Sequence, residues 1–359
     1  MRFTNKLTID WDKVKECRRV AERIATPVQK YIDRHSTISI ERTVLRAFEI
    51  EGAWKEMPLV NLIVDNLPKD MLRRGIAYWL GRAMVASGKP LKDVATDIAR
   101  GKLQLDKAPN VPFAKIKKAI DPLVKRAIER FDTARRHKSK LVQKHGGSKG
   151  PLKYLIVATG NIHDDVAQAQ AAAEEGADVI AVIRHTAQSL LDYVPDGITT
   201  EGFGGTYATQ ANFRKMRRGL DEIGRKIKRY IRLTNYSSGL CMAEIAVMGA
   251  FENLDYLLND AMYGILFRDI NMKRTFVDQY FSRLIMARAG VAIQTGEDNY
   301  LTTSDAYKSG HTVIASQSIN EKFALNAGLA PDQMCLGHAF EIDPRIEDGF
   351  LYELAQAQL

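Results

Sequence analysis

Side chains able to grip an anion recur in short groups along the later part of the sequence. They are Arg184, His185, Gln188 and Ser189; Asn235, Tyr236 and Ser238; Tyr263 and Arg268; Glu297, Asp298 and Asn299; and His338 with Glu341. Thr159 and Asn161 come before them. An arginine such as Arg184 can hold a phosphate by paired hydrogen bonds, with help from the Ser189 hydroxyl and backbone N–H groups at a helix start. At a strand end it can equally form a structural ion pair. Tyr263 suits stacking on a planar ring or half-buried packing. Asp298 and Asn299 suit either orientation of polar ligand groups or turn formation. Together these residues describe a site for a ligand with a dianionic group.

Each group directly follows an apolar run. Tyr154-Leu155-Ile156-Val157-Ala158 and Val179-Ile180-Ala181-Val182-Ile183 flank an alanine-rich helical stretch, giving strand, helix, strand. Continuous rather than alternating apolar runs belong to strands covered on both faces, as in parallel sheets. Further strands are expected at 230–233, 255–260, 291–294 and 334–336. Helices are expected at 209–227 and 242–251, in a longer segment reaching 289, and around 319–327. The fold class is therefore α/β, a TIM-type barrel with about six of its eight units, since such barrels use roughly 250 residues and carry chemistry at the C-terminal strand ends. Gly202-Phe203-Gly204-Gly205 lacks the lysine ending of a phosphate loop and reads as a lid or contact loop.

Before this comes a mostly helical part. Apolar residues at helical spacing run from Trp11 to Arg34, with a kink or restart at Pro27. Thr37 opens an extended piece, and a helix starts near Glu41. A helical pattern runs from Leu67-Pro68 through Ile76, Leu80 and Met84 to Gly88, another takes in Val94 and Ile98, and a long one covers about 115–140. The run His145-Gly146-Gly147-Ser148-Lys149-Gly150-Pro151 blocks helix continuation and marks a boundary between a basic helical domain, 1–150, and a barrel domain, 151–359.

The chain has 359 residues, 45% of them hydrophobic, enough for a sizeable core. Its net charge of +9 is unevenly spread. Residues 1–150 hold 33 Lys and Arg against 17 Asp and Glu, and the remainder 19 against 26. The basic part could meet nucleic acid or an acidic partner surface, or be a solvated helical face; the solvated face is preferred, and no nucleic-acid or membrane partner is expected. Three widely separated cysteines signal neither a disulfide framework nor a zinc site, and the start of the chain lacks a secretory apolar core. A cytoplasmic protein is expected.

The histidines lack metal-ligand spacing, so no metal is expected, and no nucleophile motif occurs. The later lysines, Lys153, Lys215, Lys226, Lys228, Lys273, Lys308 and Lys322, fall on expected helices, loops or strand starts. If the rim binds pyridoxal phosphate, which normally rests on a lysine, a partner must supply that lysine.

Several longer stretches carry a family resemblance: Leu155-Ile156-Val157-Ala158-Thr159-Gly160-Asn161, Gln188-Ser189-Leu190-Leu191-Asp192-Tyr193-Val194-Pro195, and Thr200-Glu201-Gly202-Phe203-Gly204-Gly205-Thr206-Tyr207-Ala208-Thr209. Two more are Tyr263-Gly264-Ile265-Leu266-Phe267-Arg268-Asp269-Ile270-Asn271-Met272 and Thr295-Gly296-Glu297-Asp298-Asn299-Tyr300-Leu301-Thr302-Thr303. On these the chain resembles the alpha subunits of lysine 5,6-aminomutase, isomerases dependent on pyridoxal 5'-phosphate and adenosylcobalamin.

The resemblance implies radical migration of the terminal amino group of D-lysine or L-β-lysine, in lysine degradation. It implies cofactor binding by Arg184, His185, Thr186, Ala187, Gln188, Ser189, Ser238, Tyr263, Arg268 and Asn299, with Asp298 holding the substrate and Tyr263 at the reacting centre. It further implies a beta subunit carrying the B12 domain and the Schiff-base lysine. The family's alpha subunit continues past the position of Leu359, so the expectation is either a separate polypeptide completing the barrel or a truncated form. An ornithine 4,5-aminomutase-like subunit and a silent scaffold or regulatory subunit are the alternatives.

Overall fold

The computed structural model describes residues 10–55, 57–146, 150–157, 159–184, 209–236, 242–259, 271–295, 310–330 and 333–336. Its centre is a six-stranded parallel sheet of β3 (Tyr154–Ile156), β4 (Val179–Arg184), β5 (Arg232–Tyr236), β6 (Tyr256–Asn259), β7 (Ala292–Thr295) and β8 (Met334–Leu336), paired in sequence order. All six strands fall where the apolar runs predict them. Between them run α7 (Ile162–Glu174), α8 (Gln210–Ile227), α9 (Met242–Phe251), α10 (Met272–Ala289) and α11 (Gly310–Asn326). Parallel strands need such crossovers, and the helices cover one face of the sheet. Ile180, Leu233, Leu257 and Ile293 pack there with Phe213, Met216 and Ile245 in one core.

The earlier part holds α1 (Trp11–Ile32), α2 (Ile38–Ala47), a hairpin of β1 (Ala53–Trp54) and β2 (Met57–Pro58), α3 (Leu59–Asp65), a 3₁₀ turn at Met71–Arg74, α4 (Ile76–Ser87), α5 (Leu91–Ala99) and α6 (Phe113–His145). A second core joins α3, α4, α5 and the first half of α6. At its tightest point a Cβ on Gly81 would lie 2.7 Å from Ile120 Cγ1, so only glycine lets α4 approach α6.

Several expectations are corrected. Helix α1 runs unbroken through Pro27, because Ala25 and Ile32 on either side are pinned in one cluster with Val277 and Phe323. Helix α2 starts at Ile38, three residues before Glu41, since Thr37 is not strand but N-cap: its hydroxyl accepts from Ile40 N at 3.1 Å. The pattern from Leu67 is split at Gly75, whose φ of 79° lies in the left-handed region.

Helix α9 is buried along its whole length, as an all-round apolar helix must be. It lies between the sheet and α2. Its one acidic residue, Glu244, takes hydrogen bonds from Arg42 Nε at 2.9 Å and Arg46 Nε at 2.6 Å. On α10, Asp278 accepts from Thr37 Oγ1 and lies 3.1 Å from Arg274 Nη1. The second helix is thus tied by ion pairs and a hydrogen bond to the helices of the sheet.

Candidate functional site

The strand register brings the C-terminal ends level. Arg184 stands opposite Tyr236, Tyr236 opposite Leu258, Leu258 opposite Gln294, and Gln294 opposite Cys335. One residue further, Asn259 faces Thr295 and Thr295 faces Leu336. Between Ala181 and Ile183 the register with β5 shifts, so that Ala181 pairs with Thr234 and Ile183 with Asn235. This extra residue, a bulge, re-aims the end of the strand. It puts the Arg184 backbone in the row of Tyr236.

Of the residues expected to form the site, Arg184 is described through its backbone at the tip of β4. His185, Thr186, Ala187, Gln188, Ser189, Ser238, Tyr263, Arg268, Asp298 and Asn299 lie outside the described residues, as do Glu297, His338 and Glu341. In sequence they follow directly on the ends of β4, β5, β6, β7 and β8.

Three rim candidates take other roles. The Thr159 hydroxyl donates to buried Asp165 at 2.6 Å, and Asn161 caps α7 by accepting from His163 N at 2.9 Å. Asn235 shares the face of Leu233, which packs on the helices. Thr234 takes the opposite face, fully buried, and its hydroxyl has no hydrogen-bond partner among the described residues. An unused buried hydroxyl two residues before the rim is a polar group still available to a ligand. The sequence reading missed it because Thr234 sits inside an apolar run.

The N-terminal strand ends carry a different chemistry. Asp255 accepts from Tyr230 Oη at 2.9 and 3.0 Å and from Leu233 N at 2.9 Å, with Arg217 Nη1 at 3.5 Å. Lys138 donates to the carbonyls of Leu254, at 3.1 Å, and Gly290, at 2.6 Å. Burial lowers the Lys138 ammonium pKa and pushes the Tyr230 phenol well above its usual value. This network locks α6 and α8 under the sheet, as the non-catalytic end of such folds does. Lys153, Lys215, Lys226, Lys228, Lys273 and Lys322 lie before β3, on or just after α8, and on α10 and α11, away from the strand tips; Lys308 is outside the described residues. Among the described residues, no helix is long and apolar enough to cross a membrane.

A parallel sheet with helical crossovers, its strands paired in sequence order, is the plan of an α/β barrel domain. A family model described as the D-lysine 5,6-aminomutase TIM-barrel domain of the alpha subunit matches residues 7–359. The lysine 5,6-aminomutase alpha subunit of Acetoanaerobium sticklandii is 53% identical over 357 residues, covering 99% of this chain and 69% of that protein. The alpha subunit from Fusobacterium nucleatum is 54% identical over the same coverage. The D-ornithine 4,5-aminomutase subunit beta of Acetoanaerobium sticklandii is 36% identical over 187 residues, 52% of this chain and 25% of that protein. The chain belongs to the lysine 5,6-aminomutase alpha-subunit family, whose enzyme is an isomerase.

Proposed function

We propose that this chain is the pyridoxal-phosphate-holding subunit of an enzyme that moves the terminal amino group of D-lysine or L-β-lysine to the neighbouring carbon. The observation that carries the proposal is the level row of strand ends from Arg184 to Cys335, after which the other expected site residues come in sequence. Arg184 with the backbone and hydroxyl groups through Ser189 would pair with a phosphate, joined by Ser238, Arg268 and Asn299. Tyr263 would stack on the ring, and Asp298 would hold the substrate ammonium. The unpartnered Thr234 hydroxyl fits a polar ligand at that end of the sheet.

When bound, pyridoxal phosphate would stabilise the migrating amino group, while adenosylcobalamin, carried by a beta subunit, would supply the radical. The protein's own part is to fix the substrate between the two cofactors and to keep water out. The anchoring lysine belongs to the beta subunit in this reading.

The barrel needs more strands than the six described. Leu155 and Ile156 of edge strand β3 are 44% and 54% exposed. Apolar strand residues of a closed barrel are covered on both faces. We infer that further strands, from whichever polypeptide carries them, close the sheet between β3 and β8.

The lysine reading is favoured over the ornithine one because the ornithine enzyme's match spans only half of this chain. Co-expression with a candidate beta subunit tests it. The expected result is a complex that retains pyridoxal phosphate by absorbance and forms 2,5-diaminohexanoate from D-lysine; turnover of D-ornithine to 2,4-diaminopentanoate instead would favour the ornithine reading. A complex that binds no cofactor and turns over neither substrate rejects the proposal.

A further inference from the structure

Away from the strand ends, a cavity of about 520 Å³ opens between the α1–α2 turn and the 3₁₀ turn before α4. Arg34 enters it from one segment, Lys69 and Arg73 from the other. None of the three has a carboxylate partner among the described residues, whereas Arg42 and Arg46 on α2 and Lys89 before α5 do. The carboxylate on the floor, Glu41, is 4% exposed and already committed. It accepts from Ile76 N at 2.5 Å and from the Ser36 hydroxyl.

Three unpaired cations around one half-enclosed space repel one another, and solvent only partly screens them. The first turn of α2 adds to this field. Ile38 lines the cavity at the start of the helix, where first-turn N–H groups lack intrahelical acceptors, although Ile40 N is already held by the Thr37 hydroxyl. Nothing in the fold requires Lys69 and Arg73 to share a cavity with Arg34. Buried Leu72 between them fixes the 3₁₀ turn by packing, while the two flanking side chains remain exposed.

We propose that this cavity is a binding site for a small oxyanion-bearing molecule, phosphate or carboxylate, separate from the strand-end site. Arg34 and Arg73 grip the oxyanion by paired hydrogen bonds, Lys69 supplies a third charge, and the start of α2 supplies backbone donors. Thr37 then connects the site to α10, because its hydroxyl donates to Asp278.

The test uses the full chain in complex with its co-expressed partner and inorganic phosphate as the probe, at constant ionic strength. Calorimetric titration should show one saturable phosphate site per chain outside the cofactor site. Arg73→Ala and Lys69→Ala should each weaken it about tenfold, and Lys92→Ala on exposed α5 should leave it unchanged. Acetate in place of phosphate separates the two sources: saturable acetate binding lost in the same variants assigns a carboxylate ligand, and its absence a phosphate. All three substituted positions are exposed, so the variants fold, as thermal melting will verify. Non-saturable binding of both anions, or saturable binding indifferent to Arg73→Ala and Lys69→Ala, overturns the proposal.

Discussion

Arg46 Nε lies 2.6 Å from Glu244 Oε2, and both side chains are almost wholly buried, 198 residues apart in the chain. The pair joins α2 to α9 with no water to replace either partner. Removing one member of a buried ion pair strands the other charge, which typically costs about 3–5 kcal/mol. Glu244→Ala should therefore lower the urea midpoint strongly. Replacing Arg42, which is partly solvated, should cost less.

Gly81 gives a steric prediction. An added methyl group would press on the side chains of Ile116 and Ile120, which are themselves buried in the helical core. Gly81→Ala should destabilise by about 1–3 kcal/mol in spite of alanine's better helix propensity. A second change, Ile120→Val, should restore part of the loss, readable as a partial recovery in melting temperature.

Asp278 makes stability depend on pH. Burial raises its pKa from the ordinary 3.8 to about 6, against the hydrogen bond from Thr37, which lowers it. Between about pH 4 and 6 the folded chain keeps a proton that the unfolded chain releases, so stability falls as pH rises through this window. Acidifying from pH 7 to 5 should therefore gain stability from this group, on the order of 1 kcal/mol. Asp278→Asn should flatten that part of the profile in equilibrium unfolding.

At the strand ends, Arg184→Ala and Tyr263→Ala should weaken retention of pyridoxal phosphate in the assembled complex. Asp298→Ala should keep the cofactor and suppress turnover. Equal absorbance and equal rates in all three variants would remove these residues from the site.

Thr234→Val separates packing from binding. The hydroxyl is buried without a partner among the described residues, so replacing it with a methyl group should leave the melting temperature of the chain unchanged or higher. If the hydroxyl serves the ligand, cofactor affinity in the complex falls by about tenfold, and a Thr234→Ser variant retains it.

The strands are legible because apolar residues run unbroken from Val179 to Ile183 and in the neighbouring strands, a pattern that follows from burial on both sides. The hairpin of Ala53–Trp54 with Met57–Pro58 was not, since two-residue strands leave no period to detect. Asn235 was assigned to the rim although it faces the helices. Only the pairing with Ile183 and Leu257 reveals its side of the sheet. Glu244 and Asp278 read as ordinary helix residues, because their partners Arg46 and Thr37 come from a distant part of the sequence. The roles of the loop residues rest on family resemblance, since polar loop sequences carry no periodic signal of their own.

Helix α6 is 33 residues long, about 50 Å from end to end. Ile116, Ile120 and Leu123 near its start belong to the helical core, Phe131 to the core under the sheet, and Lys138 grips the carbonyls before β6 and β7. One rigid rod therefore serves as a wall of two interiors. Loss of order in either removes a wall from the other, which makes the chain melt as a single cooperative block and gives amide protons along the middle of that rod among the slowest exchange in the molecule.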